Sequence, residues 1–245
     1  MIEELLAPVV AAVSTRGDVP GAGLYPEEEA LVGRAVPERR REFATGRHCA
    51  RRALGRFGIP AGPILKTEHG APCWPEGIVG SMTHCPGYRA TAVAWRRDVL
   101  ALGIDAEPDR PLPDGVLEAV TVAGERAALV GHAEARARAR ANAHVPAHGQ
   151  GRVSAQVHWD RLLFSAKESV YKAWHPLTGR RLDFTDTALD FDPARGTFTA
   201  RLLVPPPVLA GHGPLTEFRG RWAARDGIVV TAVVVPAAPD AGVLR

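Results

Sequence analysis

Hydrophobic and polar positions along the chain follow first a helical period and then an alternating one, and this order occurs twice. In the first half, helical spacing predicts an amphipathic helix over residues 1–15 and a second helix over 37–57, which Gly58 and Pro60 end. Alternating positions then predict strands at residues 80–84, 90–95 and 99–107, with a hairpin turn at 96–98 between the last two.

The second half repeats this arrangement. A helix is predicted over residues 159–174, because the residue before Pro176 is disfavoured in the α region. Strands follow at residues 188–191, 198–204, 218–223 and 228–235, with a hairpin signal at 225–227. The sequence therefore predicts an α+β fold of two similar halves, residues 1–108 and 109–245, the second beginning with a proline-rich linker.

A stretch of unusual composition lies within the second half. Residues 133–143 alternate alanine with arginine, and residues 144–152 are rich in glycine, proline and histidine. The stretch either extends a helix that begins near Glu125 or is disordered.

The composition is that of a globular protein. Of 245 residues, 46% are hydrophobic and 23% are charged, which excludes a wholly disordered, collagen-like or coiled-coil chain. A net charge of +3 permits a phosphate-rich ligand but does not indicate nucleic acid. Only three of the 30 basic residues are lysines, Lys66, Lys167 and Lys172, and all three lie in the motifs described below.

Cysteine usage and hydropathy point to the cytoplasm. The cysteines, Cys49, Cys73 and Cys85, are odd in number and lack CxxC spacing, so a disulfide framework is not expected. A histidine lies near each of them, which leaves a zinc site as an alternative. No apolar run approaches the roughly 20 residues that span a bilayer, and residues 1–15 lack the basic start of a signal peptide. We therefore expect a cytoplasmic protein without membrane association.

Two acidic residues lie two positions apart in the predicted strand at 99–107. Side chains at this spacing point to the same side of a strand, so Asp105 and Glu107 present two carboxylates together. Such a pair repels unless a cation neutralises it, and oxygen ligands favour Mg²⁺. A solvated strand end with two unrelated acids is the other interpretation, and this motif alone does not decide between them.

The helix predicted at 159–174 carries a second acid–base motif. Glu168 and Lys172 are four residues apart and share the face opposite its apolar stripe. Taken alone, such a pair supports a helix by about 0.3 kcal/mol. Beside a phosphate, the carboxylate could instead bind Mg²⁺ or accept a proton, and the ammonium could stabilise developing negative charge.

Scattered basic and polar groups complete the candidate chemistry. Their members are Arg39, Arg40, Arg47, Lys66, Thr83 and His84. Arginine forks suit a terminal phosphate, although residues 39–41 also fit a solvated helix face. No Walker loop or GxGxxG fingerprint is present in the sequence, which argues against mononucleotide and Rossmann-type sites.

In this order the motifs resemble the surfactin-type 4′-phosphopantetheinyl transferases, and most closely their enterobactin-synthase subgroup. The matching strings are residues 39–51 (RRREFATGRHCAR), 63–66 (PILK), 72–89 (PCWPEGIVGSMTHCPGYR), 103–108 (GIDAEP) and 158–178 (HWDRLLFSAKESVYKAWHPLT). The combination of GID-x-E with a downstream K-E-x-x-x-K helix is specific, whereas either motif alone is weak.

The resemblance implies a monomer of two similar α+β halves related by a pseudo-twofold axis, with the active site in the cleft between them. It implies transfer of phosphopantetheine from coenzyme A to a serine of an apo acyl or peptidyl carrier protein, with release of adenosine 3′,5′-bisphosphate. Mg²⁺, with Mn²⁺ as an alternative, would be bound by Asp105, the Ala106 carbonyl, Glu107 and Glu168. The segment 114–158 would face the carrier protein.

The same resemblance implies roles for further residues. Glu168 would take the serine proton, directly or through a water, and Lys172 would stabilise the leaving phosphate. The 3′-phosphate and its neighbours would be bound by Arg39, Arg47 and His84. Further residues expected on coenzyme A are Lys66, Thr67, Glu68, His69 and Thr83, with Lys167 and Tyr171 along the pantetheine.

Two functions of other classes are alternatives at this point. A basic nucleic-acid-binding module would use the arginine-rich residues 136–140 and would bind DNA in a salt-dependent way. A Mg²⁺-dependent phosphohydrolase would break down coenzyme A without any acceptor. The transferase interpretation predicts carrier proteins and coenzyme A as partners, and no nucleic acid.

Overall fold

Two antiparallel sheets and three long helices form most of the computed structural model, which describes residues 1–68, 70–142, 157–209 and 213–237. The helices are α1 (Pro26–Val32), α2 (Pro37–Gly55), α3 (Val116–Val120), α4 (Glu125–Asn142) and α5 (Trp159–Thr178). The strands are β1 (Ala11–Arg16), β2 (Ile78–Cys85), β3 (Tyr88–Trp95), β4 (Val99–Pro108), β5 (Thr187–Asp192), β6 (Thr197–Leu202), β7 (Val208–Leu209), β8 (Gly213–Pro214), β9 (Glu217–Arg225) and β10 (Ile228–Pro236). This mixed α and β architecture confirms the predicted fold class.

The sheets are packed in layers between the helices. The first sheet has the order β1-β3-β2 and the second the order β4-β10-β9-β6-β5, while β7 and β8 pair separately. Alternate residues of the strands face opposite sides, so one face of each sheet contributes to a shared core, in which Ala92 lies with Ile104 and Val230. The other faces are covered by α2 and by α5.

The amino-terminal prediction was wrong. A short 3₁₀ turn over Ile2–Leu5 is followed by β1, not by a helix continuing to residue 15. Strand β1 pairs with β3, for example Ala11 with Val93, so long-range backbone pairing overrides the local helical spacing.

The turn at 96–98 exists, but the strands on either side of it do not form a hairpin. Strand β3 is the central strand of its sheet, and both of its edges are taken by β1 and β2. Strand β4 pairs instead with β10, so the last strand of the predicted first half lies in the second sheet. The division of the chain at residue 108 stays a prediction.

Most other predicted elements are confirmed, including the hairpin at 225–227, where Asp226 and Gly227 have positive φ. The stop before Pro176 was wrong, since α5 continues to Thr178. A proline in the last turn removes one backbone donor, and the Gly179 N–H closes the helix on the His175 carbonyl at 2.9 Å.

The alanine–arginine stretch is helical where the structure describes it. Helix α4 runs to Asn142, which confirms the interpretation as a helix extended from Glu125. Residues 143–156, with the rest of that prediction, lie outside the described residues. Among the described helices, none has the length and hydropathy that a membrane crossing requires.

Contact between β4 and α5 positions the two motifs. A Cβ atom at Gly103 would lie 1.9 Å from the Ser169 carbonyl oxygen and 2.8 Å from the Ala173 amide nitrogen. The absence of a side chain there lets α5 lie directly on β4. The glycine of the GID string therefore sets the distance between Asp105 and Lys172.

Candidate active site

A cleft of about 730 Å³ lies between α2 and β2 on one side and the carboxyl end of α5 on the other. It brings together eight of the residues predicted from the sequence. Those from the first half are Arg39, Arg47, Lys66, Thr67, Thr83 and His84, and those from α5 are Tyr171 and Lys172.

Asp105 is buried where β4 meets α5, behind two residues of the cleft wall that it contacts, and neither it nor Glu107 nor Glu168 lines the cleft itself. Asp105 Oδ1 accepts hydrogen bonds from Lys172 Nζ at 2.7 Å and from Thr83 Oγ1 at 3.2 Å. Its Oδ2 is buried and has no hydrogen-bond partner. A buried carboxylate oxygen without a partner is costly, and a bound cation would satisfy it.

Two further carboxylates lie near Asp105. Burial raises the pKa of Glu107, and the charge of Asp105 adds to this, while Arg161 opposes it through a contact of 3.1 Å. Burial also raises the pKa of Glu168, with a further contribution from Asp105. The negative charge of Asp105 therefore acts on both of these carboxylates.

Two of these acids, Asp105 and Glu107, are paired with cations of the protein. Among the described residues, no three His, Cys, Asp or Glu side chains converge closely enough to hold a metal ion. Lys172 and Arg161 instead occupy oxygens of Asp105 and Glu107. The unpartnered Asp105 Oδ2 and the all-oxygen donor set nevertheless fit a hard divalent cation such as Mg²⁺.

The Ala106 backbone also belongs to this region. Its N–H donates to Thr83 Oγ1 at 3.0 Å, so it points toward β2 rather than toward β10. In a strand the N–H and C=O of a residue point to the same side, so the Ala106 carbonyl is directed away from the β10 ladder.

Arg47 supplies a buried cation at the opposite wall. Its side chain is 5% exposed, its Nε donates to the Ile64 carbonyl at 3.0 Å, and its Nη2 is buried without a partner. The guanidinium lies over the ring of Phe43 at 3.9 Å. Burial, with repulsion from Arg51 and Arg39, lowers the pKa of Arg47 to about 10.

Other cations crowd the same wall. Burial lowers the pKa of Lys66, with further lowering by Arg39 and Arg47. Burial and Arg39 also lower the pKa of His84. Mutual repulsion of this kind is relieved by an anion, so this wall fits a phosphate group.

Not every predicted residue lies in the cleft. Lys167 is buried in another network, where its Nζ contacts Glu125 Oε2 at 2.9 Å and the carbonyls of Phe184 and Thr187 at 2.8 Å and 3.0 Å. Its three donors are thereby used, and the structure does not bring it onto the predicted pantetheine path. Glu68 is exposed and His69 lies outside the described residues.

Sequence reasoning also missed functional neighbours. Glu42 lines the cleft and contacts Arg39 at 3.3 Å, and their spacing of three residues on α2 was an available signal. Arg161 pairs with Glu107 across 54 residues of sequence, and no local pattern indicates that contact.

Two family models match most of this chain. The family model of the 4′-phosphopantetheinyl transferase N-terminal domain matches residues 27–94, and that of the 4′-phosphopantetheinyl transferase superfamily matches residues 101–225. The chain belongs to the 4′-phosphopantetheinyl transferase superfamily. The resemblance inferred from the motifs is thereby confirmed.

Named relatives of this transferase cover most of its length. It is 56% identical over 220 residues to 4′-phosphopantetheinyl transferase Svp of Streptomyces mobaraensis, spanning 90% of this chain and 82% of the relative. It is 45% identical over 222 residues to 4′-phosphopantetheinyl transferase PptT of Mycobacterium tuberculosis, spanning 89% and 88%. Identity to 4′-phosphopantetheinyl transferase Npt of Nocardia iowensis is 44% over 216 residues, spanning 85% and 88%.

Membership of the family fixes the class of reaction. The enzyme is a transferase that moves phosphopantetheine from its substrate coenzyme A to carrier proteins. The nucleic-acid-binding and phosphohydrolase alternatives receive no support from these matches.

Proposed function

We propose that the cleft binds coenzyme A with its 3′-phosphate at the wall formed by Arg39, Arg47 and His84. The pyrophosphate would lie near Asp105, Glu107 and Glu168. Lys66, Thr67 and Thr83 would lie along the nucleotide, and Tyr171 along the pantetheine. The observation that carries this proposal is the unpartnered Asp105 Oδ2, because Asp105 contacts Lys172, and Lys172 lines a cleft whose other wall is cationic. A substrate with phosphates at both ends of a nucleotide matches that distribution of charge.

A divalent cation completes the proposed site. Asp105, Glu107, Glu168 and the Ala106 carbonyl would hold Mg²⁺, with Mn²⁺ as an alternative. When bound, the cation would neutralise charge on the pyrophosphate during transfer. Lys172 Nζ, now on Asp105 Oδ1, would then be free to contact the leaving phosphate.

The protein's own groups would handle the proton and the leaving group. The carrier serine oxygen forms a bond to the phosphorus that bears pantetheine, and the bond from that phosphorus to adenosine 3′,5′-bisphosphate breaks. Glu168 would take the serine proton, directly or through a water, as a general base. Lys172 stabilises the charge that develops on the released phosphate.

The partners and setting are proposed on the same basis. Apo acyl or peptidyl carrier proteins would approach the segment 114–158, and the enzyme would act as a cytoplasmic monomer of two halves, 1–108 and 109–245, without nucleic acid or membrane.

Replacement of Glu168 by glutamine tests the proposed roles. Glu168→Gln keeps the size of the side chain but removes the base and one cation ligand, so transfer is expected to fall by about 10²-fold or more. Intact-mass measurement of an apo carrier protein with coenzyme A and Mg²⁺ reports the transfer. Glu27→Gln, an exposed change of the same kind on α1, serves as the matched control. Normal turnover by a folded Glu168→Gln enzyme would overturn the assignment.

A further inference from the structure

Glu42 is an acid on the cationic wall of the cleft. Its Oε2 lies 3.3 Å from Arg39 Nη1 and 3.7 Å from His84 Nε2, and its Oε1 lies 3.4 Å from Arg89 Nη2. Arg39 Nη1 and His84 Nε2 are also in direct contact with each other. One carboxylate therefore touches Arg39 and His84, two of the three residues that the proposed function assigns to phosphate binding.

This arrangement follows from the geometry of two elements. Arg39 and Glu42 are three residues apart on α2 and share a face of the helix. His84 and Arg89 are paired directly across the β2–β3 hairpin, so their side chains lie on the same face of the sheet. Glu42 joins the helix to that hairpin at the edge of the cleft.

Arg89 holds Glu42 from the side away from the cleft. It is only 4% exposed, and its Nη1 donates to the carbonyls of Cys85 at 2.5 Å and Tyr88 at 3.2 Å. Its Nη2 is 2.8 Å from Asp18 Oδ1 as well as near Glu42. Because the backbone of its own hairpin holds the Arg89 guanidinium in place, Arg89 in turn holds the Glu42 carboxylate that it contacts.

We infer that Glu42, anchored by Arg89, is a positioning residue that orients Arg39 and His84 toward the 3′-phosphate of coenzyme A. The inference rests on the proposed function, because it takes phosphate binding by Arg39 and His84 as given. Without the carboxylate, the Arg39 and His84 side chains would have to be ordered by the ligand itself. That ordering costs affinity, so preorganisation by Glu42 strengthens binding despite its negative charge.

Binding of coenzyme A and of dephospho-coenzyme A, which lacks the 3′-phosphate, tests the inference. Isothermal titration with Glu42→Gln is expected to show coenzyme A bound about tenfold more weakly, with dephospho-coenzyme A changed by less than about twofold. In the transfer assay the same variant should raise KM for coenzyme A and leave kcat unchanged. Arg89→Lys, which keeps the charge but not the fork, should shift affinity in the same direction by a smaller factor.

Two further variants separate the possible outcomes. Glu29→Gln breaks the 2.5 Å ion pair with Arg40 at the α1–α2 contact and should leave both affinities unchanged. Arg39→Ala should itself reduce the preference for the 3′-phosphate, although Arg47 and His84 remain.

If Glu42→Gln binds coenzyme A equally well or more tightly, or weakens both ligands equally, the inference fails while the phosphate assignment stands. If Arg39→Ala also leaves the preference unreduced, the assignment in the proposed function fails and the inference fails with it.

Discussion

Substitution of Gly103 by alanine tests whether the β4–α5 contact sets the catalytic geometry. The added Cβ would lie 1.9 Å from the Ser169 carbonyl oxygen, whereas real Cβ atoms are essentially never found closer than 3.0 Å to another heavy atom. Helix α5 must therefore move away from β4 by about 1 Å or more, since both neighbouring atoms belong to backbone. The Lys172–Asp105 contact of 2.7 Å spans the same interface and would lengthen with it.

The expected cost is large in both stability and rate. Overpacking of this kind destabilises by about 3 kcal/mol, which for a chain of this size lowers Tm by roughly 6–12 °C. A displacement of about 1 Å between reacting groups lowers the rate by about 10²-fold in the fraction that stays folded.

Thermal unfolding and the carrier mass-shift assay at a temperature well below Tm measure the two effects separately. Gly55→Ala is the matched control, because its Cβ on α2 meets nothing within 4 Å, and it should be neutral or slightly stabilising. A Gly103→Ala enzyme with unchanged Tm and rate would refute the reasoning from close packing.

Two further predictions concern groups away from the cleft. Lys167→Met should lower the free energy of unfolding by about 3–5 kcal/mol in denaturant titration, because it leaves Glu125 buried without its cation. Adding Glu125→Gln should recover part of that loss. An unchanged free energy of unfolding in both the single and the double variant would contradict the buried ion pair. Burial raises the pKa of Cys49 to about 11 and of Cys85 to about 12, so at pH 8 their thiolate fractions are about 10⁻³ and 10⁻⁴. Only Cys73, which is exposed, should therefore react rapidly with a thiol reagent in the native enzyme, and rapid labelling at either other cysteine, located by peptide mass analysis, would show that the burial is wrong.

The side-chain directions within the two acidic motifs could be predicted because the information for them is local. The spacing of Asp105 and Glu107 fixes their shared side of β4, and the spacing of Glu168 and Lys172 fixes their shared face of α5. Where these two elements meet depends on Gly103, which the GID string already contained.

The prediction that Lys167 lies along the pantetheine conflicts with the geometry of α5. Lys167 and Lys172 are five residues apart, so at about 100° per residue they point roughly 140° away from each other. Both therefore could not face the same cleft, and Lys167 pairs with Glu125 instead.

Long-range pairings account for the remaining differences. Residues 1–15 carry an apolar pattern that is compatible with a helix, and only the free edge of β3 decides that part of it becomes β1. In the same way, β4 pairs with β10 rather than with β3, and no residue of the 96–98 turn indicates that pairing. Such contacts depend on the whole fold rather than on local spacing.

Intact-mass analysis of a panel of apo carrier proteins tests whether the enzyme transfers phosphopantetheine with the help of a divalent cation. Each reaction contains coenzyme A with Mg²⁺ or with a chelator, and a parallel sample lacks the carrier. We predict that at least one carrier gains a single phosphopantetheine only when the divalent cation is present. Coenzyme A should stay intact in the sample without a carrier. Transfer that continues undiminished in the chelator, or rapid breakdown of coenzyme A with no carrier present, would contradict this prediction.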